Sequence, residues 1–182
     1  MRQPQPHSPH QAPPTIVQNG AEVLRQIAET VPEAEFNTPA LQKLVARMEE
    51  ALASCDDGVA IAAPQIGVAK RIFVVAPQAF DDDPEAPTNH RIFINPIITK
   101  KSKRTSVVDE GCLSVRWLYG KVRRSTKATV EAYDLQGKKF THHGTGLLAQ
   151  IFQHEIDHLN GVLFIDQASQ LEEIKPTDND AA

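Results

Sequence analysis

The run Gln153-His154-Glu155-Ile156-Asp157-His158 concentrates more reactive side chains than any other part of the chain. A helix turns once in about 3.6 residues, so side chains four apart stack on one face. In a helix, His154 and His158 aim two imidazoles at a single ion. Glu155 then lies within reach of a proton on a water held there. H-E-x-x-H on a helix marks metal hydrolases for this reason. Two imidazoles leave the coordination incomplete, so the source of the third ligand separates the readings.

Downstream, the long metalloprotease form continues H-x-x-G-x-x-H. Here the run is His158-Leu159-Asn160-Gly161-Val162-Leu163-Phe164. The glycine is in register, but Phe164 cannot bind a metal. Glu172 and Glu173 follow in a short acidic stretch with little room for a second helix, which argues against a metal-dependent peptidase. Upstream, Glu110-Gly111-Cys112-Leu113-Ser114 places a cysteine in a loop-like segment after Val107-Val108. A thiolate and two neutral imidazoles make three protein ligands and leave a fourth position open, as catalytic sites do and structural sites do not. The metal charge offsets the cost of deprotonating Cys112. A third segment, Gly58-Val59-Ala60-Ile61-Ala62-Ala63-Pro64-Gln65, combines small residues that admit a close backbone with the amide donor of Gln65.

These three segments, in this order, resemble the three motifs of the peptide deformylase family: G-x-G-x-A-A-x-Q, E-G-C-L-S and Q-H-E-x-D-H. The similarity extends from Ile16-Val17-Gln18 and Val23-Leu24-Arg25 to Gly161-Val162-Leu163-Phe164, covering roughly residues 15–167. The resemblance implies an enzyme that hydrolyses the N-formyl group from the initiator methionine of new polypeptides and releases formate. Cys112, His154 and His158 then hold a divalent ion. Glu155 accepts the proton of its water and delivers it to the leaving amine. An amide is a poor electrophile and hydroxide is scarce at neutral pH; a divalent ion addresses both. The Gln65 side-chain amide and the Leu113 backbone N–H match the positions that face the oxyanion, where losing one donor typically costs about 100- to 1,000-fold. Glu110 is a candidate to accept an imidazole N–H and fix a ring's orientation.

By position in the motifs, Val59, Val108, Leu147 and Ile151 should line an apolar slot for methionine, with the aliphatic face of His154. The peptide lies extended past Ala60 and Gly111 as an added strand. Cys/His₂ coordination suits iron(II), zinc, cobalt or nickel; the resemblance points to iron(II), with the others as replacements. Two departures stand out. Ala60 replaces the second glycine of the first motif, a change expected to tune substrate approach. After Ser114 the chain reads Val115-Arg116-Trp117-Leu118-Tyr119-Gly120, where many members carry proline-glycine and then an arginine. Tyr119 stands where that arginine often reaches the substrate, so Arg116 and Tyr119 are both candidates to replace it. Trp117 is open between a substrate-side lid and a rim aromatic. A non-catalytic relative that binds formyl-peptides is disfavoured by the intact Glu155.

At 182 residues the chain is expected to form one domain. Nineteen Lys and Arg against 23 Asp and Glu leave −4, with no basic footprint for nucleic acid. No apolar run reaches the roughly 20 residues of a membrane helix. Two cysteines, Cys55 and Cys112, and no visible signal peptide fit a reducing cytoplasm. The expected partners are formylmethionyl nascent peptides and the ribosome exit region, without DNA or membrane. Residues 1–14, with five prolines, read as a disordered tail. Residues 15–170 read as the catalytic domain and 171–182 as a short acidic tail without the basic C-terminal helix of some relatives.

The fold class is α+β, antiparallel sheets packed around a central helix that carries H-E-x-x-H. Residues 21–30 read as a short helix with Val23, Leu24, Ile27 and Ala28 inward. Thr38-Pro39 starts a second helix with Leu41, Leu44, Val45, Met48 and Leu52 at core spacing. Residues 71–75 and 91–94 are strands around a surface loop at 79–89. Residues 126–133 and 138–142 form a hairpin. Residues 144–159 form the motif helix, closed by Asn160-Gly161. Its Leu147, Leu148, Ile151 and Phe152 predict a buried helix. The stripe Leu147, Ile151, His154, His158 sets an apolar wall beside the metal.

Overall fold

A computed structural model describes residues 13–80 and 91–175. Residues 1–12 of the expected tail at 1–14, residues 176–182 and most of the expected loop at 79–89 lie outside the described residues.

Helix α1 (Pro39–Ala53) starts where the sequence predicts: the Thr38 hydroxyl accepts the Leu41 N–H at 3.3 Å, and Pro39 occupies the first turn. It buries Leu41, Val45, Met48, Ala51 and Leu52 along one face. Two antiparallel sheets follow. The larger has the order β1-β2-β3-β6-β7, from Ala60–Ala62, Ile72–Val75, Ile92–Lys101, Lys127–Tyr133 and Lys139–Thr145. The smaller has the order β4-β5-β8, from Thr105–Cys112, Val115–Ser125 and Ser169–Glu173.

Every residue of β1 and β2 is buried, because both faces of these strands are covered. Side chains alternate across a strand. Ile61, Ile72 and Val74 therefore join the α1 core, while Ala60, Ala62, Phe73 and Val75 join a second core on the opposite face. Helix α2 (Gly146–Leu159) seals that second core with Leu148, Ala149, Ile151, Phe152, Ile156 and Leu159. Phe73 stacks on Phe93 at 4.5 Å between ring centres, and Phe152 lies 5.2 Å from Phe93. The helix bearing the two histidines is thus anchored on the five-stranded sheet. Gly161 ends it with φ +74°, and a Cβ there would lie 2.5 Å from the Arg25 carbonyl oxygen, so only glycine fits.

Several expectations need correction. Residues 21–30 contain one 3₁₀ turn, Glu22–Arg25, and then run extended; Leu24 and Ala28 are buried, but Ile27 is 76% exposed. Backbone bonds to other elements replace helical ones: the Ala28 N–H donates to Leu159 O at 2.9 Å and the Glu29 N–H to Ala69 O at 2.8 Å. The motif helix begins at Gly146, because Gly144 and Thr145 pair with Ala128 and Lys127 in β7. Strand β3 continues past Asn95-Pro96 to Lys101. Asn95, at φ +50°, accepts from Val31 N–H and donates to Val31 O, both at 2.8 Å, holding the irregularity in place. Cys112 ends strand β4 rather than sitting in a loop. Residues 171–173, read as tail, belong to β8, which pairs with β5.

Candidate active site

The seam between α2 and β4 brings together Cys112, His154 and His158, whose ligand atoms all lie within 4.8 Å of one another. Cys112 Sγ is 3.2 Å from His158 Nε2. His154 Nδ1 is 3.1 Å from Glu110 Oε2. Burial opposes ionisation of Glu110, but bonds from Arg124 and His154 outweigh it and bring its pKa down to about 2. An ionised carboxylate only accepts, so Nδ1 donates and Nε2 is left facing Cys112. Arg124 grips Glu110 with two bonds, at 2.7 and 2.9 Å, and reaches Asp157 with a third at 2.7 Å. The strand carrying the thiol and the helix carrying the rings are therefore fastened through one guanidinium.

Burial would raise the Cys112 thiol, yet the His158 and His154 imidazoles hold it well below its usual range. Burial likewise opposes charge on His154, while the Cys112 and Glu110 contacts hold its pKa well above the usual value. The cluster thus favours positive charge at its centre, which a proton or a divalent cation supplies. A thiolate and two orientable imidazoles are a fitting donor set for a borderline-soft ion. Cys112→Ser should lower the ion content of the purified protein, measured by elemental analysis; unchanged content would move the third ligand elsewhere.

Gln65 is buried on the 3₁₀ turn Ala63–Ile66 after β1. Its Oε1 accepts the Ala62 N–H at 2.8 Å, which leaves Nε2 as donor to Ser114 Oγ at 3.2 Å and towards Cys112 Sγ at 3.6 Å. Glu155 is 4% exposed, and its Oε2 has no hydrogen-bond partner among the described residues. Burial raises its pKa, and the two imidazoles only partly offset this.

A cavity of about 290 Å³ opens over the cluster, near the lower end of small-ligand pockets. Of the residues singled out from sequence, Val59, Ala60, Gln65, Glu110, Gly111, Cys112, Leu113, Tyr119, Leu147, Ile151, His154 and Glu155 line it. His158 lies deeper, 1% exposed. Val108 does not line it: it pairs with Val122, two residues and about 7 Å along β4 beyond Glu110. Leu147, at 48% exposure, sits at the rim.

Sequence reasoning missed Arg124, Asp157 and Ser114 as supports of the site. Asp157 and Ser114 lie inside quoted motifs, but Arg124 has no local signal because its partners are 14 and 33 residues away. It also missed a bulge. Glu110 pairs with Gly120 and Cys112 with Val115, so residues 116–119 of β5 stand opposite Gly111 alone. A Cβ on Gly111 would meet the Tyr119 ring at 2.7 Å, so Gly111 makes room for that aromatic. Trp117 has φ +66°, a left-handed backbone that costs a non-glycine residue roughly 1–2 kcal/mol.

The family model described as polypeptide deformylase matches residues 13–173. The peptide deformylase of Desulfitobacterium hafniense is 43% identical over 155 residues, spanning 85% of this chain and 94% of that protein. That of Desulforudis audaxviator is 38% identical over 156 residues, spanning 86% and 94%. Among solved structures, the Met-Ala-Ser-bound class I type b peptide deformylase of Acinetobacter baumannii superposes with a TM-score of 0.75 at 36% identity, covering 84% of this chain and 96% of that one. The peptide deformylase of Thermotoga maritima gives 0.73 at 36% identity, covering 85% and 96%. With its motifs gathered around one cavity and these likenesses running nearly end to end, the chain belongs to the peptide deformylase family.

Proposed function

We propose that this enzyme hydrolyses the N-formyl group of formylmethionyl nascent polypeptides, releasing formate and a free amino terminus. The observation that carries the reading is the Cys112–His154–His158 cluster beneath a cavity walled by Glu155 and Gln65. A divalent ion held by these three residues would supply Lewis acidity and lower the pKa of water towards about 7. Iron(II) is our assignment for the cell, with zinc, nickel or cobalt as substitutes that the same donors accept.

The chain's own groups do the rest. Glu155, its pKa raised by burial, takes the proton of the attacking water and returns it to the departing amine nitrogen. Gln65 Nε2 and the Leu113 N–H donate to the oxygen that becomes negative. Val59, Leu147 and Ile151 accept the methionine side chain. Both β1 and β4 are edge strands of their sheets, so an extended peptide can add its backbone between Ala60 and Gly111. The Met-Ala-Ser held by the Acinetobacter relative is the peptide such a hydrolysis leaves. The catalytic unit starts near residue 15 and includes β8. Both cysteines are free, in keeping with a reducing cytoplasm near the ribosome exit, where nascent chains emerge. No helix among the described residues is long and apolar enough to cross a membrane.

The test offers purified protein formyl-Met-Ala-Ser, acetyl-Met-Ala-Ser and a peptide cleavable only internally. Formate from the first alone is the expected result. Internal cleavage alone would identify a peptidase instead, and binding without release a non-catalytic relative.

A further inference from the structure

The excursion of β5 at residues 116–119 is a built feature rather than a slack loop. Across the cavity mouth, Arg116 Nη1 binds Asp57 Oδ2 at 2.6 Å, tying β5 to the turn that precedes β1. The Arg116 guanidinium carbon also lies 5.5 Å from the centre of the Trp117 ring. On its far side the excursion is held by β8: Leu118 and Tyr119 pair with Glu173 and Glu172, and the Ile174 N–H donates to the Trp117 carbonyl at 2.7 Å. A strained backbone persists only where its surroundings fix it, and such positions cluster at ligand sites. Here the left-handed turn places Trp117, 37% exposed as a residue, at the cavity wall.

Position and chemistry limit what this indole can meet. The reacting groups Glu155, Gln65 and Leu113 lie on the buried floor, whereas Trp117 and Val59 lie at the rim. A peptide anchored by its formyl end on the floor leaves past that rim. Arg116 is already engaged by Asp57, so the platform offers an aromatic face backed by a neutralised cation rather than a free positive charge.

Resting on the deformylase reading above, we propose that Trp117 is a specificity-determining residue. It forms an aromatic platform for the peptide beyond the methionine and favours substrates with an aromatic side chain at the second or third residue. An aromatic pair of this kind corresponds to a preference of roughly three- to tenfold.

The experiment measures kcat/KM of the metal-loaded enzyme for formyl-Met-Ala-Ser, formyl-Met-Phe-Ser, formyl-Met-Ala-Phe and formyl-Met-Ala-Asp, all by formate release. Release from none of them sinks the deformylase reading itself. Given release, the wild type should favour a phenylalanine peptide by roughly three- to tenfold over formyl-Met-Ala-Ser. Trp117→Gly suits the left-handed backbone and should keep the fold, checked by its melting temperature and ion content, while the ratio falls towards one. Trp117→Phe should retain most of the preference. Equal rates for all peptides in the wild type would overturn the proposal. So would a preference for the aspartate peptide, which would assign recognition to Arg116, or a Trp117→Gly defect equal across peptides, which marks a structural role.

Discussion

Glu155→Ala should lower kcat for formyl-Met-Ala-Ser by roughly 10²- to 10⁴-fold, the usual worth of a positioned general acid–base. Glu155 lies on the cavity wall, nearly inaccessible, with Oε2 unpartnered among the described residues. Burial raises its pKa above the ordinary 4.5, bringing it nearer neutrality, where a base that must also return its proton works best. Cys112, His154 and His158 do not depend on this carboxylate for their contacts, so bound-ion content should stay at the wild-type level. The same shift has a pH signature. Wild-type kcat should fall on the acid side through a value above 4.5, and that limb should vanish from the residual activity of Glu155→Ala or Glu155→Gln. A loss of less than tenfold would remove Glu155 from the proton-transfer role.

Arg124→Leu should cost about 3–5 kcal/mol, the usual price of stranding a buried charge. The guanidinium is 5% exposed and holds Glu110 with two bonds and Asp157 with one. For a protein of this length the loss corresponds to a fall in Tm of roughly 6–20 °C. Linkage gives a compatible size. Glu110's pKa is lowered to about 2 from 4.5, so its contribution is fully present above about 4.5 and is lost as pH falls through about 2. That shift is worth on the order of 3 kcal/mol. Thermal melts between pH 7 and 3 should show this dependence in the wild type and lose it in Glu110→Gln. Arg124→Lys should rescue little, since an ammonium cannot make the paired contact. An Arg124→Leu melt within 2 °C of wild type would show that the ion pair is not holding the site.

Where chemistry is local, the chain could be read directly. His154, Glu155 and His158 lie within one helical turn, and Thr38-Pro39 carries its own start signal. The apolar runs of β1 and β2 follow from burial on both faces. What escaped depends on long-range pairing. Residues 21–30 have helical spacing, yet beyond one 3₁₀ turn the N–H groups of Ala28 and Glu29 donate to the carbonyls of residues 159 and 69. Residues 171–173 look like an acidic tail because β8 is exposed along its length and gains its order from pairing with β5. Val108 carries an apolar side chain suited to the proposed methionine slot but falls one strand repeat too far along β4 to line the cavity. Arg124 sits in a basic stretch of β5, and nothing nearby distinguishes it from the exposed Arg123. The bulge at residues 116–119 is a mismatch between two strands, a property that neither strand carries alone.

The groups around the cavity are far apart in the order of synthesis: Gln65 and Ser114 by 49 residues, Cys112 and His158 by 46, and Gln18 bonds to the carbonyl of Leu113 across 95. Closing such loops precedes any reward from the contacts they bring, which slows the final assembly step. A growing copy of this chain can settle α1 against β1 and β2 early. It stays inert until α2 has been made, so a truncation before residue 158 should leave a partly ordered body with no competent centre.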